Sequence, residues 1–284
     1  MSGTLFVVAT PIGNLEDITL RALRVLREAD VIAAEDTRRT AKLLAHYSIT
    51  TSSLSFHEHN TRSRIPQLLA RLGRGEAVAL VSDAGTPGIS DPGIELIQAC
   101  WDKGIPVDPI PGASAPLAAA VASGFPLEPL TIFGFVPARA KDRKEWWARL
   151  QMVEETLTFF ETPHRIEQTL LEMPIYLGSR PILVARELTK RHQQLLRFDD
   201  ASVIGRTPEF KGEFTVVVGP RAVPDSVSSD VSDELIYKEF CRMTVVEGAG
   251  RRPALSAIAH KYGRSAKTVY AIVERFKKSM PDPQ

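Results

Sequence analysis

With 284 residues and 44% apolar side chains, the chain can bury the cores of two ordinary domains and leave room for a small third unit. A formal net charge of +1 excludes a global field that would drive it to nucleic acid or membrane, so any basic surface has to be local. The two cysteines, Cys100 and Cys241, lie far apart, which fits a reducing cytoplasm and excludes a cysteine-based zinc site.

The apolar run Leu5 to Ala9 is too short for a signal peptide or a membrane span and reads as a buried strand. A helix is expected over Thr19 to Ala29, with Leu20, Leu23 and Leu26 on one face. Between them, Thr10-Pro11-Ile12-Gly13-Asn14 fills the turn where a dinucleotide enzyme would carry GxGxxG. One glycine makes no phosphate cradle, and no P-loop pattern occurs, so NAD, FAD and ATP are disfavoured.

Val31 to Ala34 is the second strand, and Asp36 is a plausible cap for a helix reaching Tyr47. A short strand, Ser53 to Phe56, leads through His57-Glu58-His59-Asn60 to a helix over Arg62 to Leu72, stopped by Gly73. His-x-His invites a metal, but no partner cluster at ligand spacing accompanies it, and the rim of a substrate cleft suits it better.

The stretch that organises the chain is Val81 to Gly93, VSDAGTPGISDPG, in which a strand from Ala77 runs into five Gly or Pro residues out of thirteen. Gly85, Gly88 and Gly93 let a ligand approach the main chain, Pro87 and Pro92 stiffen the loop, and Asp91 is expected to cap the next helix with Pro92 at its first position. Asp83 and Ser82 sit at the strand's carboxyl end, the edge where open α/β sheets bind ligands. A helix to Lys103, a fifth strand over Val107 to Ile110, and Pro111-Gly112-Ala113-Ser114-Ala115 opening a helix to Ala122 follow. Five strands each followed by a helix predict a parallel-sheet domain over residues 1–124.

From 125 to 222 strands follow strands, and a mixed sheet is expected. Its strands are Leu130 to Val136, Thr156 to Phe160, Ile182 to Arg186, a hairpin partner from Gln193 to Phe198, and Phe214 to Val218. Glu161-Thr162-Pro163-His164-Arg165 stands at a strand end as a functional turn. The helix Lys141 to Gln151 sits in a basic stretch with Trp146 and Trp147, of which one is expected in the core. Residues 223–284 comprise a linker, Val223 to Glu234, and three amphipathic helices resembling a helix-turn-helix, with ten Lys or Arg against four acids from Leu235 onward.

In this order TPIGNL, AEDTR, VSDAGTPGISDPG, PGASA, ETPHR, ARELTK and KGEF resemble the tetrapyrrole-methylase superfamily, and within it the branch that acts on ribosomal RNA. Departures from that pattern are small: Gly88, Ala113 and a short connection at Ser202 to Phe210. The resemblance implies an α/β protein of two domains, parallel then mixed, with a small C-terminal helical domain, S-adenosylmethionine in the cleft, and a homodimer. It further implies 2′-O-methylation of a cytidine in 16S rRNA near the decoding site, within the small ribosomal subunit.

The cofactor needs backbone groups for its adenine and amino acid. The chain offers Ile12, Asp83, Ala84, Gly85, Thr86, Pro87, Ser114 and Ala115. Glu187, Asp36 and His57 are candidates to accept the ribose proton, and Arg38, His164, Arg165, Arg186 and Lys190 candidates for RNA contact. No metal is required for an in-line methyl transfer. Two other readings stay open, a precorrin-type tetrapyrrole methyltransferase and a DNA-binding regulator with a methylase-like body.

Overall fold

The computed structural model describes residues 3–200, 211–221, 232–246, 249–262 and 264–279. The connection expected at Ser202 to Phe210 and the linker at 223–231 lie outside the described residues. The chain divides into two compact units, Met1–Arg221 and Ala222–Gln284.

The first unit opens with five strand–helix repeats. These are β1 (Leu5–Val8), α1 (Leu20–Glu28), β2 (Val31–Ala34), α2 (Thr37–His46), β3 (Ser53–Ser55), α3 (Thr61–Gly73), β4 (Val78–Val81), α4 (Ile94–Asp102), β5 (Val107–Ile110) and α5 (Ala115–Ser123). The strands pair in parallel in the order β3-β2-β4-β1-β5. Alternate strand residues face opposite ways, as a pleated strand requires. Val8, Ile32, Ala34, Ala79 and Val81 meet Leu23, Leu26 and Leu44 of α1 and α2, while Leu5, Val7, Val31, Val78 and Leu80 meet Leu68, Leu72, Leu96 and Cys100 of α3 and α4.

Three local expectations are corrected. Leu20 is 86% exposed, because the buried stripe of α1 runs through Ala22, Leu23, Val25 and Leu26 once Thr19 caps it. Gly73 is the last residue of α3 rather than the stop beyond it: Arg74 is the C-cap, and it is Gly75 that turns the chain, at φ +91°. Asp91 caps no helix: α4 starts at Ile94 behind Gly93.

A second sheet has the order β6-β7-β10-β8-β9. Its strands are β6 (Leu130–Phe135), β7 (Thr156–Glu161), β8 (Ile182–Arg186), β9 (Gln194–Phe198) and β10 (Phe214–Val218). Only the β6–β7 pair is parallel, so the sheet is mixed. Helices α6 (Ala140–Gln151) and α7 (Ile166–Leu177) cover one face. Both Trp146 and Trp147 are buried there, edge-on to Phe159, so the expectation that one of them stays outside the core is wrong. On the other face α5 packs Ala119, with Phe125 just beyond its end, against Leu183, Ala185 and Val217.

The second unit holds α8 (Asp233–Cys241), α9 (Arg251–Lys261) and α10 (Ala266–Ser279). Ser232 caps α8 and Ser265 accepts from Thr268 N at the start of α10. The three helices share an apolar core of Ile236, Phe240, Leu255, Ile258, Val269 and Val273. Among the described residues no helix is long and apolar enough to cross a membrane.

Candidate active site

Strands β1 and β4 are neighbours, yet α1 and α4 leave them for opposite faces of the sheet. A crevice opens at such a switch point, beyond the carboxyl ends of the strands. Thr10 and Gly85 pin its two sides together: Thr10 N donates to Gly85 O at 2.8 Å, and Gly85 N to Thr10 O at 2.9 Å. Gly85 sits at φ +80°, a conformation side chains rarely tolerate, and this allows the loop to turn back toward Ile12.

Above this crevice lies a cavity of about 500 Å³. From the first sheet's edge come Ile12, Asp83, Ala84, Gly85, Thr86, Ser114 and Ala115, all residues that the sequence nominates for the cofactor. Pro87, nominated with them, is not on the wall. The second sheet closes the space with Phe135, Phe160, Thr162, Ala185, Leu188 and Thr215. Thr86 Oγ1 donates to Ala113 O at 3.4 Å and so ties two of the loops together. Ser114 precedes α5 but its side chain makes no capping bond, and its buried Oγ has no partner among the described residues. A buried hydroxyl without a partner costs free energy that a bound ligand could return.

Five carboxylates line the cavity, Glu35, Asp83, Asp91, Glu161 and Glu213, and the first three are close enough to feel one another's charge. Asp83 N donates to Glu35 Oε2 at 3.1 Å, Asp36 N donates to Asp83 Oδ1 at 3.0 Å, and Arg39 pairs with Asp83 Oδ2 at 3.3 Å. Burial pushes Asp91 up to about 7, helped by the nearby charges of Glu35 and Asp83 and opposed by a hydrogen bond to Ser82. Burial also raises Glu35.

The three candidate proton acceptors stand off the cavity wall. Asp36 caps α2, and its hydrogen bonds from Arg38 hold it at about 2. His57 lies in the β3–α3 turn, where Asn60 Nδ2 stands 3.3 Å from its Nε2. Glu187 accepts from Lys190 Nζ at 2.9 Å and from Glu213 N at 2.8 Å; burial alone would raise it, but these bonds outweigh burial and lower it. It fastens one turn to another.

The RNA-contact candidates divide in the same way. Arg38 and His164 are exposed, Arg38 holding Asp36. Arg186 is corrected as a surface contact: only 7% exposed, it donates to Lys211 O and Gln194 Oε1. Arg165 bonds Glu161, Thr162 and Val136 O, and Lys190 bonds Glu187 and Glu213, so both serve the fold. Among the described residues no group of three or more His, Cys, Asp or Glu could hold a metal ion.

Glu35, Arg39, Asp91, Phe135 and Phe160 belong to the site, and sequence reasoning did not nominate them. Glu35 was within reach, as the last residue before Asp36 at a strand end. Asp91 has the sequence context of a helix cap, and nothing local marks Phe135 or Phe160, which a second sheet brings in.

Residues 4–202 match the family described as Tetrapyrrole (Corrin/Porphyrin) Methylases, which makes this a protein of the S-adenosylmethionine-dependent methyltransferase class. A relative named "Ribosomal RNA small subunit methyltransferase I" from Halalkalibacterium halodurans is 47% identical over 275 residues, 95% of this chain and 94% of that protein. One of the same name from Thermotoga maritima is 47% identical over 218 residues, which are 98% of that protein but 76% of this chain. The chain therefore belongs to the tetrapyrrole methylases, in the family of the ribosomal RNA small subunit methyltransferase I proteins.

Solved structures agree on the fold. A diphthine synthase superposes with a TM-score of 0.61 at 15% identity, covering 76% of this chain and 90% of that one. A uroporphyrin-III C-methyltransferase from Thermus thermophilus, complexed with S-adenosylhomocysteine, gives 0.52 at 18% identity over 76% of this chain and 97% of that one.

Proposed function

We propose that the cavity binds S-adenosylmethionine and that the enzyme methylates a cytidine 2′-hydroxyl of 16S rRNA near the decoding site of the small ribosomal subunit. The observation that carries this reading is the convergence of Asp83–Thr86 and Ser114–Ala115 on one cavity, beside a buried Ser114 hydroxyl with no partner among the described residues. At about 500 Å³ the space falls in the range of small-molecule sites. When bound, the cofactor supplies a methyl group activated by its sulfonium. The chain's part is positioning: loops tied by the Thr10–Gly85 pair, faced by the aromatic side chains of Phe135 and Phe160.

A ribose hydroxyl is a weak nucleophile and its proton needs an acceptor. Of the carboxylates on the wall, Asp91, with a pKa of about 7, is matched to that task near neutral pH. It displaces Glu187, Asp36 and His57 as first choice. The reading includes a homodimer acting in the cytoplasm, which ultracentrifugation and fractionation test.

Small subunits from cells lacking the protein, incubated with the enzyme and labelled S-adenosylmethionine, should gain one 2′-O-methyl mark on a cytidine of 16S rRNA. Label appearing only on a precorrin substrate would replace this function with the tetrapyrrole reading. No transfer to either would end both.

A further inference from the structure

The Thermotoga relative of the same name matches only 76% of this chain while being itself almost wholly matched, so a protein of that name does without about a quarter of this length. The unmatched share is about the size of the second unit, and the surface of that unit's helices indicates a use for them.

From Arg251 to Ser279 the sequence carries eight Lys or Arg and one acid, Glu274. The apolar sides of α9 and α10 are used up in the unit's own core. Several cations are paired: Arg251 with Glu274, Lys261 with Glu239, and Arg264 and Arg275 with Asp233. Arg252 and Lys267 are not. Both are exposed, neither has a hydrogen-bond or ion-pair partner among the described residues, and each stands in the first turn of its helix, where no acid is present.

Between these helix starts runs a groove of about 460 Å³ lined by Arg251, Arg252, Leu255, Ser256, Ala266 and Tyr270. Tyr270 is 49% exposed, with the Arg251 guanidinium 5.4 Å from its ring centroid. An open aromatic face in one groove with the unpaired Arg252, with Lys267 next in sequence to the lining residue Ala266 and two positive helix ends, is the combination that single-stranded nucleic acid recognises: bases stack while phosphates are neutralised. A duplex would keep its bases from the ring.

We infer that the α9–α10 groove is a docking surface for an unpaired stretch of RNA, with Arg252 and Lys267 on its phosphates and Tyr270 under a base. The inference extends the ribosomal reading but concerns a different surface, and its test does not depend on methyl transfer. Full-length protein is titrated into a fluorescein-labelled single-stranded RNA 12-mer and into the same sequence as a duplex, across a salt series. Arg252→Glu and Tyr270→Ala should each weaken the single-strand Kd by about tenfold, and Arg252→Ala should flatten the log–log salt slope by about 0.7. Lys238→Glu, on an exposed and paired lysine of α8, serves as the control and should change neither.

Thermal melts check that the variants fold, and calorimetry with S-adenosylmethionine checks that the other site is intact. Wild-type RNA affinity and salt slope in both groove variants would overturn the inference even if methyl transfer to rRNA is found. So would loss of binding to small subunits with the 12-mer unaffected, which would point to a protein partner.

Discussion

The main-chain N–H of Asn14 donates to Thr189 Oγ1 at 3.0 Å, joining residues 175 apart and tying the turn after β1 to the turn after β8. Each turn comes from a different sheet, and Ile12 and Leu188 beside them line the same cavity. Gly13 makes the approach possible. A Cβ there would fall 2.5 Å from Lys190 Cγ, 2.8 Å from Thr189 Oγ1 and 2.9 Å from Leu188 O. The far turn has little freedom to yield, since Glu187 and Thr189 already hold positive φ of 51° and 64°.

Gly13→Ala should therefore push the two turns apart. The expected cost is about 1–3 kcal/mol in stability, read by urea unfolding, together with weaker S-adenosylmethionine binding in calorimetry. A variant with wild-type stability and affinity would mean that the turns part without consequence.

Ser114→Ala separates a ligand-binding hydroxyl from a structural one. Because Oγ has no partner among the described residues, its removal should leave the melting temperature unchanged or slightly higher. Cofactor affinity should fall by about 5- to 10-fold, the worth of about one hydrogen bond. Unchanged affinity would take Ser114 out of the site.

Asp91 gives the site a pH dependence whose sign is fixed. Its carboxyl lies above its ordinary value of 3.8, at about 7, so between these values the folded state holds a proton that the unfolded state has released. Stability from this group is greatest at low pH and declines as pH rises from about 4 through about 7. Asp91→Asn should flatten that decline and raise the melting temperature more at pH 8 than at pH 5. If Asp91 accepts the ribose proton, wild-type kcat climbs through pH 7 and the variant loses both rate and climb. A variant with the wild-type pH–rate profile would leave Asp91 with no part in proton transfer.

Glu187→Gln tests the fastening role against a catalytic one. Losing the ionic bond to Lys190 should lower the melting temperature by about 2–4 °C, while kcat stays within about threefold of wild type. A drop in kcat of a hundredfold or more with an unchanged melt would restore Glu187 as a proton acceptor.

The parallel order of strands and helices was legible because β1, β2 and β4 are short apolar runs that lead into Gly, Pro or a cap. β5 and β8 begin and end where the residues say. The cavity wall could be read for a related reason: ligands collect at strand ends, and Ile12, Asp83 and Ser114 follow three of them, β1, β4 and β5. What the residues concealed depends on pairing across the chain. Arg186 and Lys190 look like free cations until the second sheet brings Lys211 O and Glu213 beside them, and Phe160 looks like core until its strand is known to end at the cavity. Charge shows in a sequence; whether a charge already has its partner does not.

Helix α5 starts at the cavity with Ser114 and Ala115, yet its packing face lies on Leu183, Ala185 and Val217 of the opposite sheet. Cut at Gly124, the chain would yield a front piece with a greasy helix projecting into solvent and a back piece with a bare sheet. Neither half could be grown alone as a well-behaved protein, and a graft between relatives would have to carry the helix with the sheet it covers.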